Sequence, residues 1–402
     1  MVIKVISRII LIVFFFLIIT NFISGINSSP VEGDSLNYHI PIARNILNGN
    51  IVSQTNVVNI ERWYPGSSEI ILAIFILLNI PLNLFNVFSI FIFFIVLYKF
   101  GQMFLGSKDL SLIFSSSVTS SYGVLRLIHT QNIDIWMVIY FLILIIFLEK
   151  PQNKLSYFLG LGFFSGMLVG SKYIGPFFFL VLLIVYFKTY MRNINSKKIL
   201  LFLIPFIIFG ASWYIRNLIL TGSPVYPQSI LFFEGLESWN SIGYMSTQTW
   251  MSFLRYPDKM FDAYISEFMI WPIIFFVVPL FVILRKKNNV KYKSWQKFKK
   301  LLFIITFTFI FYLIFPSSDR YLAMVLTMRY IYNVFVLSVL LIFLVAQFFK
   351  KEIIVVLIAL TNIIIILFPS YHPKLLFIFI PLVFFIGLFM FYCNQLVRKM
   401  TK

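Results

Sequence analysis

The chain has 402 residues, of which 60% are hydrophobic and 12% charged, and its formal net charge is +19. Soluble domains carry about a quarter charged residues, so this balance excludes a soluble globular protein and indicates a polytopic membrane protein. The excess Lys and Arg sit in short loops between apolar runs rather than on one folded face, which argues against a nucleic-acid partner and matches the topogenic pattern of cytoplasmic loops.

The apolar runs predict an all-α transmembrane helix bundle of about twelve spans with both termini inside. They lie near residues 9–27, 84–100, 110–126, 134–148, 155–170, 173–187, 199–219, 266–284, 301–316, 331–349, 353–369 and 375–392. None alternates apolar with polar residues, as barrel strands do. Residues 9–27 read as a retained first span rather than a signal peptide, because no small-x-small cleavage site follows them. Cys393, the sole cysteine, excludes an internal disulfide framework.

A long outer segment, about 28–83, follows the first span. It opens with VEGDSLNYHIPI, which puts Glu32, Asp34 and His39 at the mouth of an apolar helix. Carboxylates beside hydrocarbon are costly and are kept there mainly for water, a cation or a reaction. Asp34 occupies an N-cap position for an interfacial amphipathic helix whose shared face is Leu36, Ile40, Ala43 and Leu47, and Asn48-Gly49 stops it. Pro41 predicts a kink, or two short pieces. Glu32 and Asp34 leave a divalent cation open, but two carboxylates alone make a poor site, so no metal is assigned. SEIILAIFILLNIP, residues 68–81, is too short to span and reads as re-entrant or interfacial.

Leaving that run on the outer side sorts the charges. Lys4, Arg8, Lys99, Lys108, Lys150, Lys154, Lys188, the loop RKKNNVKYKSWQKFKK, Lys350 and Lys351 fall at inner ends. All but Asp109, Glu149 and Glu352 of the 14 acids fall on the outer side or at outer helix ends.

Further candidates follow along the chain. HTQNIDIWM places Asp134 at the outer start of the fourth span, as a cap or as a second site acid. If Asp34 and Asp134 face one cavity, their repulsion would raise one pKa and create a proton acceptor. LVGSKYIGP sets Lys172 between two apolar stretches, and FGASWYIRNLILTGSPVYP puts Arg216 in the outer half of a span, where an anion partner is required. A second outer segment, 221–265, is rich in aromatics, and SSDRYLAMVLTMRY adds Arg320, beside Asp319, and Arg329. Acids, cations and an aromatic rim that includes Tyr38, Tyr64 and Tyr226 suit a phosphate and a sugar: cations take phosphate oxygens and a carboxylate deprotonates a hydroxyl.

In order, GDSLNYHIPIARNILNG, YPGSSEIILAIF, NID, GSKYIG, WYIRNLILTGSPVYP and DRYL make the chain resemble the GT-C superfamily of integral-membrane glycosyltransferases. The resemblance is strongest to the branch of protein O-mannosyltransferases and bacterial aminoarabinose transferases, and it covers roughly residues 5–335. It implies a catalytic module over 1–335, with outer loops 28–83 and 221–265, followed by C-terminal transmembrane helices over 336–402. It further implies an inverting transfer from a polyprenyl-phosphate sugar donor to a lipid, glycan or protein acceptor hydroxyl. Asp34 would be the base and Asp134 a second site acid. Glu32, Tyr38, His39, Tyr64 and Tyr226 would line the substrate site, and Lys172, Arg216 and Arg320 would hold the lipid phosphate. The first loop reads EGD, not the adjacent Asp-Glu of many members, and no soluble C-terminal domain is expected. A bacterial inner membrane with the site facing outward is the implied location. A polysaccharide polymerase or ligase is the nearer alternative; for a flippase or transporter, polar groups at the midplane and repeated halves would be expected.

Cysteines introduced one at a time by Asp34→Cys and by His129→Cys, in the loop just ahead of Asp134, should react with a membrane-impermeant maleimide from the same, non-cytosolic side. Labelling from opposite leaflets would dissolve the site.

Overall fold

A chain immersed in hydrocarbon must satisfy its own amides, and the computed structural model accordingly consists almost wholly of helices. It describes residues 2–50, 60–191, 195–229, 232–236, 247–272, 292–317, 321–348 and 350–367. The first half comprises α1 (Val2–Ile26), a π-helical turn (Ser35–His39), α2 (Ile40–Leu47), α3 (Glu69–Leu77), α4 (Phe85–Leu105), α5 (Lys108–Thr119) and α6 (Tyr122–Leu125). It continues through α7 (Asp134–Glu149), α8 (Leu155–Val169), α9 (Gly175–Val185), α10 (Phe187–Tyr190), α11 (Ser196–Phe206), a second π-helical turn (Ile207–Ala211) and α12 (Ser212–Thr221). Beyond the second outer segment lie α13 (Thr249–Arg255), α14 (Pro257–Phe268), α15 (Tyr292–Ile314), α16 (Tyr321–Thr327), a 3-10 turn (Met328–Ile331), α17 (Tyr332–Phe348) and α18 (Glu352–Leu367). Thr247–Gln248 pairs antiparallel with Pro316–Ser317, a ladder of two residues.

Four helical runs among the described residues are long and apolar enough to cross a membrane: Ile3–Ile26, Leu82–Leu105, Ser196–Thr221 and Met324–Phe348. The expected twelve are not reproduced as helices of that length. α5, α7, α8 and α9 have 12, 16, 15 and 11 residues; at about 1.5 Å per residue they fall short of roughly 30 Å of hydrocarbon. They stop early where the polar site is built, at Ser120-Ser121, before Asp134 and on either side of Lys172. Most of the expected span at 266–284, all of that at 375–392, and Cys393 lie outside the described residues. The nine-residue α3 is too short to cross, in keeping with residues 68–81 lying outside the spans. The expected boundary after residue 335 falls inside α17, whose residues are buried in the same core as α4 and α7.

The helices expose two chemically different poles. At one, Asp109 accepts from Ser7 Oγ (3.1 Å), Glu149 pairs with Lys300 (2.8 Å), Lys198 donates to Asn153 (2.5 Å) and Gln347 donates to the carbonyl of Leu105 (3.0 Å). Asp34, Asp134, Lys172, Glu267 and Arg329 gather at the other. Asp109 and Glu149, expected inside, thus lie apart from Asp34, Asp134 and Glu267, expected outside.

Two local features correct the sequence reading of residues 33–50. Asp34 is helical (φ −61°, ψ −38°) and makes no capping bond; Glu32 closes this end instead, accepting from the Ser35 N–H (2.8 Å) and Oγ (2.7 Å). Rather than breaking at Pro41, the helix widens into the π-turn, where the Ile40 N–H reaches back to the Ser35 carbonyl. That extra residue rotates the face: Ile40, Ile42 and Ala43 are buried, whereas Leu36 is 49% exposed and Leu47 39%.

Glycines let α8 approach α11 and the turn after it backbone to backbone. A Cβ at Gly162 would overlap the Phe202 carbonyl oxygen, and one at Gly170 the Phe209 carbonyl oxygen, with Gly166 between them against Pro205 and Phe206. Spacing of four residues puts all three on one helical face. Gly162→Ala should lower stability by about 1–3 kcal/mol through overpacking, measured by thermal unfolding in detergent; an unchanged melting temperature would contradict this contact.

Candidate active site

Four charged side chains from four separate segments meet at the acidic pole. Asp34, ahead of the π-turn, accepts from Arg329 Nη2 at 2.5 Å. Arg329 sits on the 3-10 turn that opens into α17, and its Nε lies 3.7 Å from Asp134 Oδ2. Asp134, the first residue of α7 and fully buried, accepts from Lys172 Nζ at 2.6 Å. Lys172 comes from the turn between α8 and α9, and its ammonium lies over the Tyr330 ring, 4.8 Å from the centroid. The helix N-terminus under Asp134 adds a favourable partial positive charge. Two carboxylates and two cations thus balance within one enclosed cluster.

This balance corrects the expected repulsion between the acids. Burial pushes the Asp34 carboxyl up, but attraction and hydrogen bonding from Arg329, joined by His39 and Lys172, outweigh it and hold it below its ordinary value. The Asp34 side chain is 37% exposed, against 6% for Arg329 and none for Asp134. Asp34 is therefore the acid of the cluster open to solvent.

Beside the ion cluster lies a cavity of about 50 Å³. His39 is buried at its wall, with Nδ1 2.8 Å from Glu69 Oε1 and Nε2 3.1 Å from Asn132 Oδ1. Tyr38 packs on His39 and, edge to face, on Tyr64, which in turn meets Tyr173. Burial first, and then the Asp34 charge, pushes the Tyr38 phenol well up; Tyr64 is also raised, mainly by burial, so both are neutral hydrogen-bonding groups. Lys172, Tyr330 and Phe315 complete the side towards the ion cluster.

Of the expected site residues, the structure brings together Asp34, Asp134, Lys172, Tyr38, His39 and Tyr64. Glu32 caps the helix. Arg216 points elsewhere, donating to Asn217 Oδ1 (2.7 Å) and to the Trp63 carbonyl (3.0 Å) and packing on Trp213. It anchors the first outer loop to α12 and does not line the cavity. Tyr226 packs edge to face on Trp63, and its carbonyl accepts from Tyr173 Oη, one layer behind the cavity wall. Arg320 lies outside the described residues. Among the described residues no group of three or more His, Cys, Asp or Glu is placed to hold a metal ion.

The fold can be set against known proteins. No family model matches the sequence, and no curated protein matches it. A solved structure does: ArnT from Cupriavidus metallidurans bound to undecaprenyl phosphate, with a TM-score of 0.55, 13% sequence identity, 89% of this chain covered and 62% of that one. The chain shares the fold of that ArnT. It spans less than two thirds of the ArnT chain. With this fold and four helices, among the described residues, of membrane-crossing length and apolarity, it is a membrane protein.

Sequence reasoning preferred Arg320 to Arg329 and passed over Glu69 and Asn132. A usable signal was present. Arg320 has Asp319 beside it, whereas Arg329 stands at the end of a long apolar helix with no acid nearby in sequence, so its counter-ion had to come from another segment. Nothing local marks Glu69, which looks like the first residue of an apolar helix.

Removing Arg329 leaves one fully buried carboxylate short of a cation and a second without its hydrogen bond. Arg329→Ala should therefore destabilise the protein by about 3–5 kcal/mol, more than Asp34→Asn, in detergent unfolding. Because Asp34 is held below its ordinary value, its stabilising pairing is in full force above about pH 4 and is lost as pH falls through the lowered value. Asp34→Asn should flatten that acid-side loss; an identical acid profile in both proteins would contradict the pairing.

Proposed function

We propose that this protein transfers a sugar from a polyprenyl-phosphate carrier to an acceptor hydroxyl, with inversion, on the outer side of a bacterial inner membrane. The observation that carries the reading is the interleaving of Asp34, Arg329, Asp134 and Lys172 beside a cavity with aromatic walls. Likeness in fold to a protein whose structure holds undecaprenyl phosphate supports the donor class.

In this reaction the acceptor oxygen attacks the anomeric carbon from the face opposite the phosphate. The new C–O bond forms as the bond from the anomeric carbon to the phosphate oxygen breaks, and the hydroxyl proton passes to an Asp34 oxygen. Polyprenyl phosphate leaves with the bonding pair. Lys172 and Arg329 supply positive charge where that oxygen becomes negative, which is worth most in a site sheltered from water. Asp134 orients both cations. Arg216 contributes indirectly, by fixing the loop that carries Trp63 and Tyr64; Arg320 is a further cation for the phosphate. Tyr38, Tyr64 and Tyr330 offer faces and hydroxyls to a pyranose ring, and His39 and Glu69 offer polar atoms at its edge. Residues 1–335 act as the catalytic module.

General-base removal lowers rates by about 10²–10⁴-fold. Membranes bearing Asp34→Asn, supplied with labelled polyprenyl-phosphate sugars, should show a loss in that range. Transfer near the wild-type rate would remove Asp34 from the chemistry.

A further inference from the structure

An acid held below its ordinary value by an arginine is a poor proton acceptor, yet Asp34 is the exposed acid of the cluster. Arg329 is itself incompletely satisfied. Its side chain is 6% exposed, and among the described residues its Nε and Nη1 have no hydrogen-bond partner, nor has Asp134 Oδ2, 3.7 Å away. Buried N–H groups without acceptors are costly, and a tetrahedral oxyanion supplies the acceptors a guanidinium fork is shaped for.

We propose that Arg329 is a counter-ion for which Asp34 and the phosphate of the incoming donor compete, so that donor binding itself releases Asp34 to act as base. This rests on the function proposed above. Charge arithmetic supports it. The empty cluster holds two carboxylates and two cations and sums to zero. A sugar phosphodiester brings one further negative charge, and the resulting net charge of minus one favours uptake of one proton. Asp134 keeps Lys172 at 2.6 Å and is fully buried, whereas Asp34 has lost its arginine and faces outward. The proton therefore goes to Asp34, and its source is the acceptor hydroxyl. Without donor, Arg329 keeps Asp34 ionised and weakly basic, so activation follows donor binding. Arg329 thus touches the donor phosphate directly and acts on the base through its pairing with Asp34.

The competition is read by affinity for undecaprenyl phosphate, a non-reacting probe, on purified protein in nanodiscs. Asp34→Asn should tighten binding by about fivefold or more, the lower end of ordinary coupling between two ligands of one group. Arg329→Gln should weaken it, and in the Arg329→Gln background Asp34→Asn should give no gain. Asp109→Asn, which removes a negative charge at the opposite pole, should leave affinity unchanged. Where Arg329→Gln does not fold, Arg329→Lys takes its place, with the gain from Asp34→Asn reduced at least severalfold. Equal or weaker binding by Asp34→Asn, or the same gain with Arg329 altered, overturns the competition while leaving the glycosyltransferase reading intact. Failure of wild type and every variant to bind the probe overturns both.

Discussion

A guanidinium buried away from water must be neutralised by acids within a few ångströms, because attraction at that range is the only return for its lost hydration. Arg329 meets this requirement with Asp34 and Asp134, and Asp134 in turn requires Lys172. The acidic pole is organised by that demand. It draws together the first outer loop, the start of α7, the turn between α8 and α9, and the entry to α17, four segments that share no local sequence relation. Any one of them displaced by a few ångströms would strand a charge in a region of low dielectric.

The same pole explains why several helices are shorter than the bilayer is thick. α5 ends at paired serines, α7 begins only at Asp134, and α8 and α9 are parted by the Lys172 turn. Irregular backbone at such depth is tolerated where it lines a polar cavity inside the protein, since its amides then find partners other than lipid. Asn86 is one such partner, donating to the carbonyls of Thr130 (3.0 Å) and Asn132 (2.9 Å). Gln131 ties the same stretch to Ser35 and to the Leu82 carbonyl. A second ion pair, Arg126 with Glu267 at 2.8 Å, joined by Tyr332, fastens α14 beside it. Precision at Asp34 and Asp134 is thus inherited from a shell of amides and hydroxyls, not from the ions alone.

Residues 33–50 show where one-dimensional reading fails. A capping position and a four-residue hydrophobic spacing were both present, and both pointed to an ordinary amphipathic helix with Asp34 as its cap. Pro41 removes one amide hydrogen, and the chain absorbs that loss by widening a turn, which hands the cap to Glu32 and rotates the buried face. Asp34 is thereby left for Arg329. Arg216 fails in the opposite direction: an arginine inside a span was expected to need an anion partner, but it donates to loop carbonyls and an adjacent amide.

Membrane residence and helical class were legible in composition and in the length of the apolar runs, because hydrocarbon enforces them residue by residue along the chain. Asp34, Asp134 and Lys172 were also legible, each being an ionisable group interrupting an oily run. Pairing was not. Which cation neutralises which acid depends on distances between segments up to 295 residues apart, and neither periodicity nor local charge encodes those distances. Only packing of the helices, with glycines allowing α8 onto α11 and a π-turn redirecting the first loop, brought Arg329 rather than Arg216 to the two aspartates.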